Sequence, residues 1–289
     1  MPPDPLFLTD SHLHLQDPVF EEDFQGVVAR AHEAGVRVMI CNSTSERDWE
    51  RVARLAETVP GLVPCFGIHP WYMRNKSPNW RDRLRQVVQS TPSAVGEAGL
   101  DRWREDRDEA EQEAVFRGQL SLARELGRPI MVHCLKAWGW LMRVLEEEPP
   151  PAEGMLLHAY GGPVELLSPL AAKGAYFSFA GNVLDERKLR MRAALQAAPL
   201  DRLMLETDSP DLAPPDDCRV PSGKTVGSGR YRNEPANLAK IATAVAHLRG
   251  ICPGDLERVL TENARRLLSP IPHSGHLFTS RSIAEERHD

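Results

Sequence analysis

Residues 203–210 read Leu203-Met204-Leu205-Glu206-Thr207-Asp208-Ser209-Pro210, a short apolar run that ends in two carboxylates and a proline. Met204 and Leu205 predict a strand buried on both faces, as in a parallel sheet. Pro210 has no backbone N–H to donate, so the strand ends before it. Glu206 and Asp208 therefore lie at the carboxyl end of the strand, where parallel α/β folds collect their ligand-binding sites.

Short apolar runs alternate with helical patterns along the whole chain. The predicted strands are Leu6–Leu8, Val36–Cys41, Leu62–Ile68, Ala94–Glu97, Ile130–His133, Met155–His158, Ala175–Phe179 and Leu203–Glu206. Predicted helices cover residues 20–34, 49–59, 80–90, 110–126, 137–148, 163–173, 184–197, 236–249 and 254–268. Strands that alternate with helices form a parallel sheet through right-handed crossovers, and eight such units favour closure into a (β/α)8 TIM barrel.

The domain organisation follows from the same alternation. We find no linker that would divide the chain, so residues 1–268 are predicted to form a single barrel domain. Residues 269–289 have little apolar periodicity, and we expect this tail to be partly disordered beyond Phe278, with its three histidines as bystanders. Residues 209–235 form a long connection rich in Pro, Gly, Asp and Ser, which in a barrel would lie over the active face.

Composition narrows the class of protein. A net charge of −6 argues against a basic coat for duplex DNA. Five cysteines without regular spacing indicate free thiols in a reducing compartment. There is no secretory signal and no apolar run of membrane-spanning length. We therefore expect a cytoplasmic protein with no membrane partner.

Polar groups also follow four of the other predicted strands. His12 and His14 follow the first strand, and because side chains alternate along an extended chain, both imidazoles point the same way. Glu97 ends the fourth strand among small residues that permit close approach. His133 ends the fifth strand and His158 the sixth. Each histidine alone is compatible with a structural role, but their convergence at strand ends indicates a site.

The six predicted donors exceed what one tetrahedral ion requires. They are His12, His14, Glu97, His133, His158 and Asp208. Two divalent ions about 3.5–4 Å apart, bridged by a carboxylate, would use them all, and Glu97 is the natural bridge. Histidine and carboxylate ligands accept Zn, Mn, Fe and Ni, and Mg is compatible with an oxygen-rich side.

Seven short motifs stand in a fixed order over residues 6–268. They are Asp10–His14, Gly67–Pro70, Gly96–Asp101, Val132–Cys134, Glu206–Pro210, Arg232–Pro235 and Glu262–Ala264. In this order they resemble the TatD family of metal-dependent deoxyribonucleases, a branch of the amidohydrolase-like barrels. The resemblance implies 3′–5′ exonuclease activity on single-stranded DNA, with phosphodiester hydrolysis by metal-activated water.

The same resemblance assigns roles to the site residues. It implies that His12, His14 and Asp208 hold one ion. It implies that His133 and His158 hold the other, with Glu97 bridging the two. The resemblance also implies that Asp208 orients or deprotonates the attacking water and that Glu206 shapes the site.

Further residues are expected to contact the substrate. They are His69, Lys136, Tyr160 and Arg232, with Lys224 and Arg230 as further phosphate contacts and Trp71 and Tyr72 as further stacking residues. His69 is equally compatible with orienting the chain turn, and the aromatic residues with ordinary packing. Where many family members carry an arginine after the fifth strand, this chain has Leu135-Lys136. Leucine cannot form the bidentate hydrogen bonds that an arginine makes with a phosphate, and lysine offers only a point charge.

Two alternative functions remain open on the sequence. A site with two ions can also attack a carbonyl, so an amide or ester hydrolase such as a D-aminoacyl-tRNA deacylase is one. The other is a catalytically silent barrel that serves as an assembly subunit. The sequence indicates no particular protein partner.

Overall fold

The computed structural model describes residues 7–221, 224–226 and 229–279, and its main sheet has eight parallel strands in chain order. The strands are β1 (Leu8–Leu13), β2 (Val36–Asn42), β3 (Leu62–Phe66), β4 (Ala94–Asp101), β5 (Ile130–Leu135), β6 (Met155–Leu157), β7 (Ala175–Ala180) and β8 (Leu203–Glu206). The helices are α1 (Phe24–Glu33), α2 (Trp49–Thr58), α3 (Trp80–Ser90), α4 (Glu109–Leu126), α5 (Trp138–Glu147), α6 (Leu167–Ala172), α7 (Leu189–Ala197), α8 (Leu238–Arg249) and α9 (Pro253–Leu268). This is the (β/α)8 TIM barrel that the alternation predicts.

The first and last strands meet at their carboxyl ends. The backbone N–H of Asp208 donates to the carbonyl of His12 at 2.9 Å, and that of His14 donates to the carbonyl of Ser209 at 2.9 Å. The Ser11 hydroxyl donates to the carbonyl of Leu205 at 2.9 Å. These bonds join the end of β1 to β8 and the residues that follow it, so the barrel closes at the residues that the sequence predicts to be ligands.

The side chains on the inner face of the barrel change from apolar to polar along the strands. Apolar side chains fill its amino-terminal half, among them Met131, Leu156 and Met204. Because side chains alternate, the next position on the same face is two residues further on. On β5 and just beyond β6 that position holds His133 and His158. The site therefore lies directly above the apolar floor of the barrel.

Several strands continue past their predicted ends, most of all β1 and β4. β1 continues through His12, and β4 continues past Glu97 to Asp101. A capping box of Ser43 and Glu46 ahead of α2 does not form, because that helix begins at Trp49. The Ser43 hydroxyl instead accepts from the N–H of Gly67 at 3.0 Å and so ties β2 to the turn after β3.

The segments after β8 and α9 both pack on the barrel. The long connection includes a two-stranded antiparallel hairpin of β9 (Thr225–Val226) and β10 (Arg230–Tyr231). After α9, Ile271 and Phe278 are buried, and the Phe278 ring stacks on Phe7 at 5.7 Å between centroids. Residues 280–289, where disorder was expected, lie outside the described residues. Within the described ranges, no helix combines the length and apolar character needed to cross a membrane.

Replacing Phe278 with Ala should lower the free energy of unfolding by about 3 kcal/mol, because it removes a buried ring that closes the amino-terminal end of the barrel. Urea unfolding would measure the change. His276→Ala alters an exposed neighbour and serves as the matched control, with an expected change within about 0.5 kcal/mol. Equal stability of both variants would show that this segment does not support the barrel.

Candidate metal centre

Six predicted ligands converge at the carboxyl end of the barrel. They are His12 on β1, His14 just after it, Glu97 on β4, His133 on β5, His158 after β6 and Asp208 after β8. Three groups drawn from these residues and His69 have donor atoms close enough together to hold a metal ion. Four of the six are almost fully buried, and the side chains of His14 and His133 are 15% and 13% exposed. The site is thus a narrow opening lined with nitrogen and oxygen donors.

Four donor atoms form the first set. His12 Nε2 lies 3.3 Å from His14 Nε2, 3.4 Å from Glu97 Oε2 and 3.6 Å from Asp208 Oδ1. His14 Nε2 lies 3.5 Å from Glu97 Oε2 and 3.6 Å from Asp208 Oδ1. Ligand bonds of about 2.0–2.2 Å in a tetrahedron place neighbouring donors about 3.3–3.6 Å apart. The five distances given for the first set are those expected between ligands of one divalent cation.

Three donor atoms form the second set. Glu97 Oε1 lies 3.2 Å from His133 Nδ1 and 3.0 Å from His158 Nε2, and these two nitrogens are 3.0 Å apart. Three protein donors with an open side are typical of catalytic rather than structural metal sites. The two oxygens of Glu97 belong to different sets, so its carboxylate has the position of a bridge.

Neighbouring groups orient the histidine ligands. Asp101 Oδ2 lies 2.8 Å from His133 Nε2 and so leaves Nδ1 facing the second set. The carbonyl of Asn42 accepts from His14 Nδ1 at 2.8 Å. Glu206 Oε1 lies 3.6 Å from His158 Nδ1 and accepts from the N–H of Ala159 at 2.7 Å. Such outer contacts fix the ring orientation that a bound ion requires.

Charges in the opening shift the pKa values of its ligands. Burial raises the pKa of Glu97, but His69, His158 and His12 outweigh burial and hold the pKa well below its ordinary range. Burial lowers the pKa of His14, but its bond to Asp208 and the charge of Glu97 raise that pKa to about 9. Burial lowers the pKa of His158, whereas Glu97 and Glu206 raise it well above its ordinary value. Glu97, Asp208 and Glu206 therefore favour positive charge in the opening. Either protons on the histidines or bound cations can supply it.

Glycines let the ligand-bearing strands approach one another. A Cβ atom on Gly99, where φ is +158°, would lie 2.0 Å from the carbonyl oxygen of His133. A Cβ on Gly96 would lie 2.7 Å from the Cβ of Met131. Only glycine fits at such distances, so the small residues around Glu97 bring β4 against β5 as the sequence indicates.

Two of the four residues expected to contact the substrate are buried and have internal partners. Tyr160 is fully buried, and its hydroxyl donates to the carbonyl of Pro163 at 2.8 Å. Arg232 is 1% exposed, lies over the ring of Phe20 and pairs with Asp23 at 3.3 Å. Each polar group therefore has a partner inside the protein, and contact of these two residues with a substrate stays a prediction.

The other expected contacts lie beside the opening or in the long connection. His69 Nε2 lies 3.4 Å from Glu97 Oε1, next to the second donor set. Lys136 is exposed, and Lys224 and Arg230 are exposed on the connection after β8. Cys134 is buried, and burial raises the pKa of its thiol, which argues against a nucleophile.

Two functional carboxylates had no role in the sequence analysis. Asp101 orients His133 from the neighbouring strand, and only its place within the motif Gly96–Asp101 could have drawn attention to it. Asp10 accepts from the N–H of Thr207 at 2.9 Å and from its hydroxyl at 2.5 Å. Asp10 thereby fixes the residue between Glu206 and Asp208.

Comparison with known proteins agrees with this geometry. The family model described as TatD related DNase matches residues 9–269. The chain belongs to this TatD family. Its curated relatives include proteins named 3′-5′ ssDNA/RNA exonuclease TatD. One from Cronobacter sakazakii is 35% identical over 264 residues, covering 89% of this chain and 96% of that protein. Another from Enterobacter lignolyticus is 36% identical over 243 residues, covering 83% of this chain and 91% of the relative.

Solved TatD structures share the barrel. A TatD homologue from Escherichia coli K12 superposes with a TM-score of 0.81 at 25% identity, covering 90% of this chain and 97% of the other. A TatD family hydrolase from Entamoeba histolytica also gives a TM-score of 0.81, at 21% identity, with 92% and 99% of the two chains covered. The second likeness shows the fold alone.

His133→Ala in this TatD protein should remove roughly one equivalent of bound metal while the barrel stays folded. The substitution deletes one of three donors in the second set and leaves the first set complete. Metal analysis after dialysis, with circular dichroism as the check on folding, would measure this. His32→Ala changes a histidine of α1, outside the donor sets, and is the control. An unchanged metal content in His133→Ala would mean that this ligand is misassigned.

Metal-free protein should lose stability as the pH rises from about 6.5 to about 9. A histidine with a raised folded pKa stabilises the fold fully below its unfolded pKa, and this contribution is lost as the pH passes the folded value. His14 and His158 both act in this direction. Urea unfolding of chelator-treated protein across this range would test it. Protein with saturating Zn²⁺ should show the opposite trend, because metal binding requires deprotonated ligands.

Proposed function

We propose that this chain is a two-metal exonuclease that removes nucleotides from the 3′ end of single-stranded DNA or RNA. The observation that carries the proposal is the Glu97 carboxylate, whose two oxygens face two separate donor sets. Ions in adjacent positions can bind both the attacking and the leaving oxygen of a phosphodiester. Curated relatives that cover most of this chain are named for the same activity.

We propose Zn²⁺ or Mn²⁺ ahead of Mg²⁺ as the resident ions. Four of the six ligands are imidazoles, and nitrogen donors favour these transition metals, whereas Mg²⁺ prefers oxygen. His12, His14 and Asp208 would hold one ion, and His133 and His158 the other, with Glu97 shared. When bound, the ions would polarise the phosphodiester and lower the pKa of the attacking water.

The residues of the chain supply position and a proton acceptor. Burial raises the pKa of Asp208, but its bond to His14 and the charges of His12 and His158 outweigh burial and lower that pKa. Asp208 is therefore ionised near neutral pH and able to accept the proton of the attacking water. Glu206 lies behind His158 and fixes the backbone of Ala159, which suits it to hold a ligand in place.

Incubation of metal-loaded protein with end-labelled single strands tests the proposal. Stepwise shortening from the 3′ end is expected with Mn²⁺ or Zn²⁺. A parallel panel of aminoacyl and amide substrates addresses the carbonyl alternative. Turnover of that panel without shortening of DNA or RNA would refute the exonuclease. Inactivity in both, together with co-purification of a tight partner, would indicate an assembly subunit instead.

Asp208→Asn should lower the rate of hydrolysis about 10²–10⁴-fold, which is about 3–5 kcal/mol of barrier. An amide keeps the shape of the side chain but is a poor base and a weaker ligand. Glu206→Gln should be milder, because an amide oxygen can still accept from Ala159. Single-turnover rates at saturating Mn²⁺ would compare the variants. If Glu206→Gln were the slower enzyme, Glu206 would be the proton acceptor and Asp208 only a ligand.

The free thiols support a proposal for the cellular compartment. All five cysteines are free, and four of them are buried. Because free thiols persist where disulfides are kept reduced, they support our proposal of a cytoplasmic enzyme.

A further inference from the structure

Three large aromatic side chains lie exposed beside the second donor set. Trp71 is 40% exposed, Tyr72 41% and Trp103 59%, and we call these three residues the aromatic corner. The Trp71 ring lies 5.2 Å from the His69 ring and 6.4 Å from the His133 ring, between centroids. Exposed apolar surface clustered at a site usually meets a ligand. A ligand in the opening would therefore extend over the corner.

Asp101 ties the aromatic corner to the metal ligands. Its Oδ1 accepts from the backbone N–H of Trp103 at 2.6 Å, while Oδ2 faces His133. Asp101 thus anchors the backbone at Trp103 and orients His133, and the Trp71 ring lies beside that histidine. The backbone of the corner is therefore held by the same carboxylate that orients a proposed ligand.

Positive charge surrounds these rings. Lys136 Nζ lies 4.2 Å from the centroid of the Trp103 ring, and Arg104 Cζ lies 6.0 Å from that of Trp71. Across the described ranges, no carboxylate forms an ion pair with Lys136. The ammonium group is therefore available to an anionic ligand.

A cleft of about 300 Å³ continues from Trp71 and Tyr72. Its wall includes Arg74, Arg104 and Arg107, together with one carboxylate, Asp106. Asp106 pairs with Arg74 at 3.5 Å and with Arg104 at 3.0 Å. Arg107 pairs with Glu109, outside this wall, at 3.0 Å. Because ion pairs at the protein surface are weak, these arginines can exchange their carboxylate partners for the phosphates of a strand.

We propose that the aromatic corner is a subsite where the bases next to the scissile bond of a single strand stack, while Lys136 and the cleft arginines meet its phosphates. This inference rests on the proposed exonuclease function and names where the rest of the strand lies. Every base has a π face, so stacking accepts DNA and RNA of any sequence. Bases in a duplex are covered by their neighbours, so the corner selects single strands.

The subsite also accounts for the departure at Leu135-Lys136. Leu135 is 37% exposed and cannot form the two parallel hydrogen bonds that an arginine makes with a phosphate. Lys136 follows it and lies on the Trp103 ring. In the proposed subsite, a base stacks on Trp103 and the flexible Lys136 ammonium group meets a phosphate. Together they hold the strand without a bidentate contact.

Trp103→Ala tests the subsite without touching the donor sets. The substitution retains the backbone N–H that Asp101 accepts, so His133 keeps its orientation. The Kd of metal-loaded protein for a 3′-phosphorothioate strand of about ten nucleotides should rise roughly 5- to 150-fold, because each stacked base contributes about that factor. Trp103→Phe retains an aromatic face and should recover most of the affinity. Leu189→Ala, at a 73% exposed position on α7, is the matched control and should bind like the wild type.

Abasic strands separate base stacking from backbone contact. Removing the bases next to the 3′ terminus should weaken binding to the wild type and leave binding to Trp103→Ala unchanged. Turnover of bis(p-nitrophenyl) phosphate, which has no bases, should be the same for both proteins. Equal Kd of wild type and Trp103→Ala for the intact strand would overturn the subsite, as would equal loss with abasic strands.

These outcomes are distinct from failure of the proposed function. A wild type that binds strands through the corner and hydrolyses neither strand nor small diester would refute the exonuclease and keep the subsite. A wild type that shortens strands while Trp103→Ala binds and cuts them equally well would keep the exonuclease and refute the subsite.

Discussion

Burial of the Glu97 carboxylate is the constraint on which the carboxyl end of this barrel depends. Its side chain is 3% exposed, and nitrogens of five histidines lie within 3.0–3.5 Å of its two oxygens. An unpaired buried charge costs several kcal/mol, so this group requires positive charge on both sides. In the metal-free protein, protonated histidines such as His14 and His158 provide this charge. Bound cations, held by neutral imidazoles, would provide it in the metal-loaded protein. The same arrangement therefore satisfies the fold and prepares the chemistry.

The barrel is built to deliver this carboxylate and its partners to one place. Glycines at positions 96 and 99 remove the side chains that would hold β4 away from β5. At the other side of the opening, Asp10 binds Thr207 through its N–H and hydroxyl, and the backbone of Asp208 bonds to His12. Burial raises the pKa of Asp10 to about 8. The closure of β1 against β8 thus also positions Asp208 beside His12 of β1 and His14 just after it.

The residues expected to contact the substrate depend less on local sequence than the proposed metal ligands do. Tyr160 and Arg232 both belong to motifs near strand ends, yet their polar groups bond within the protein, to Pro163 and to Asp23. Arg232 joins the connection after β8 to the segment ahead of α1. The large exposed aromatic residues Trp71, Tyr72 and Trp103 lie after β3 and β4. The proposed substrate contacts therefore extend toward the second donor set.

The amino-acid sequence was enough to predict the barrel and the convergence of the six proposed ligands. Strand alternation is a local property with a period of two, so an apolar residue two positions before a histidine already places that histidine on the inner face. The order of strands follows from short right-handed connections, which leave little choice of topology. Strand ends were less well predicted, because β1 and β4 continue through polar residues whose burial depends on their neighbours.

Which atom of each proposed ligand faces which donor set depends on contacts between strands. His133 presents Nδ1 because Asp101, on the adjacent strand, takes Nε2. Phe278 docks on Phe7, and Arg232 pairs with Asp23, so both contacts join distant parts of the chain. Periodicity and motif order carry no information about such contacts, because each depends on the relative placement of two elements in space.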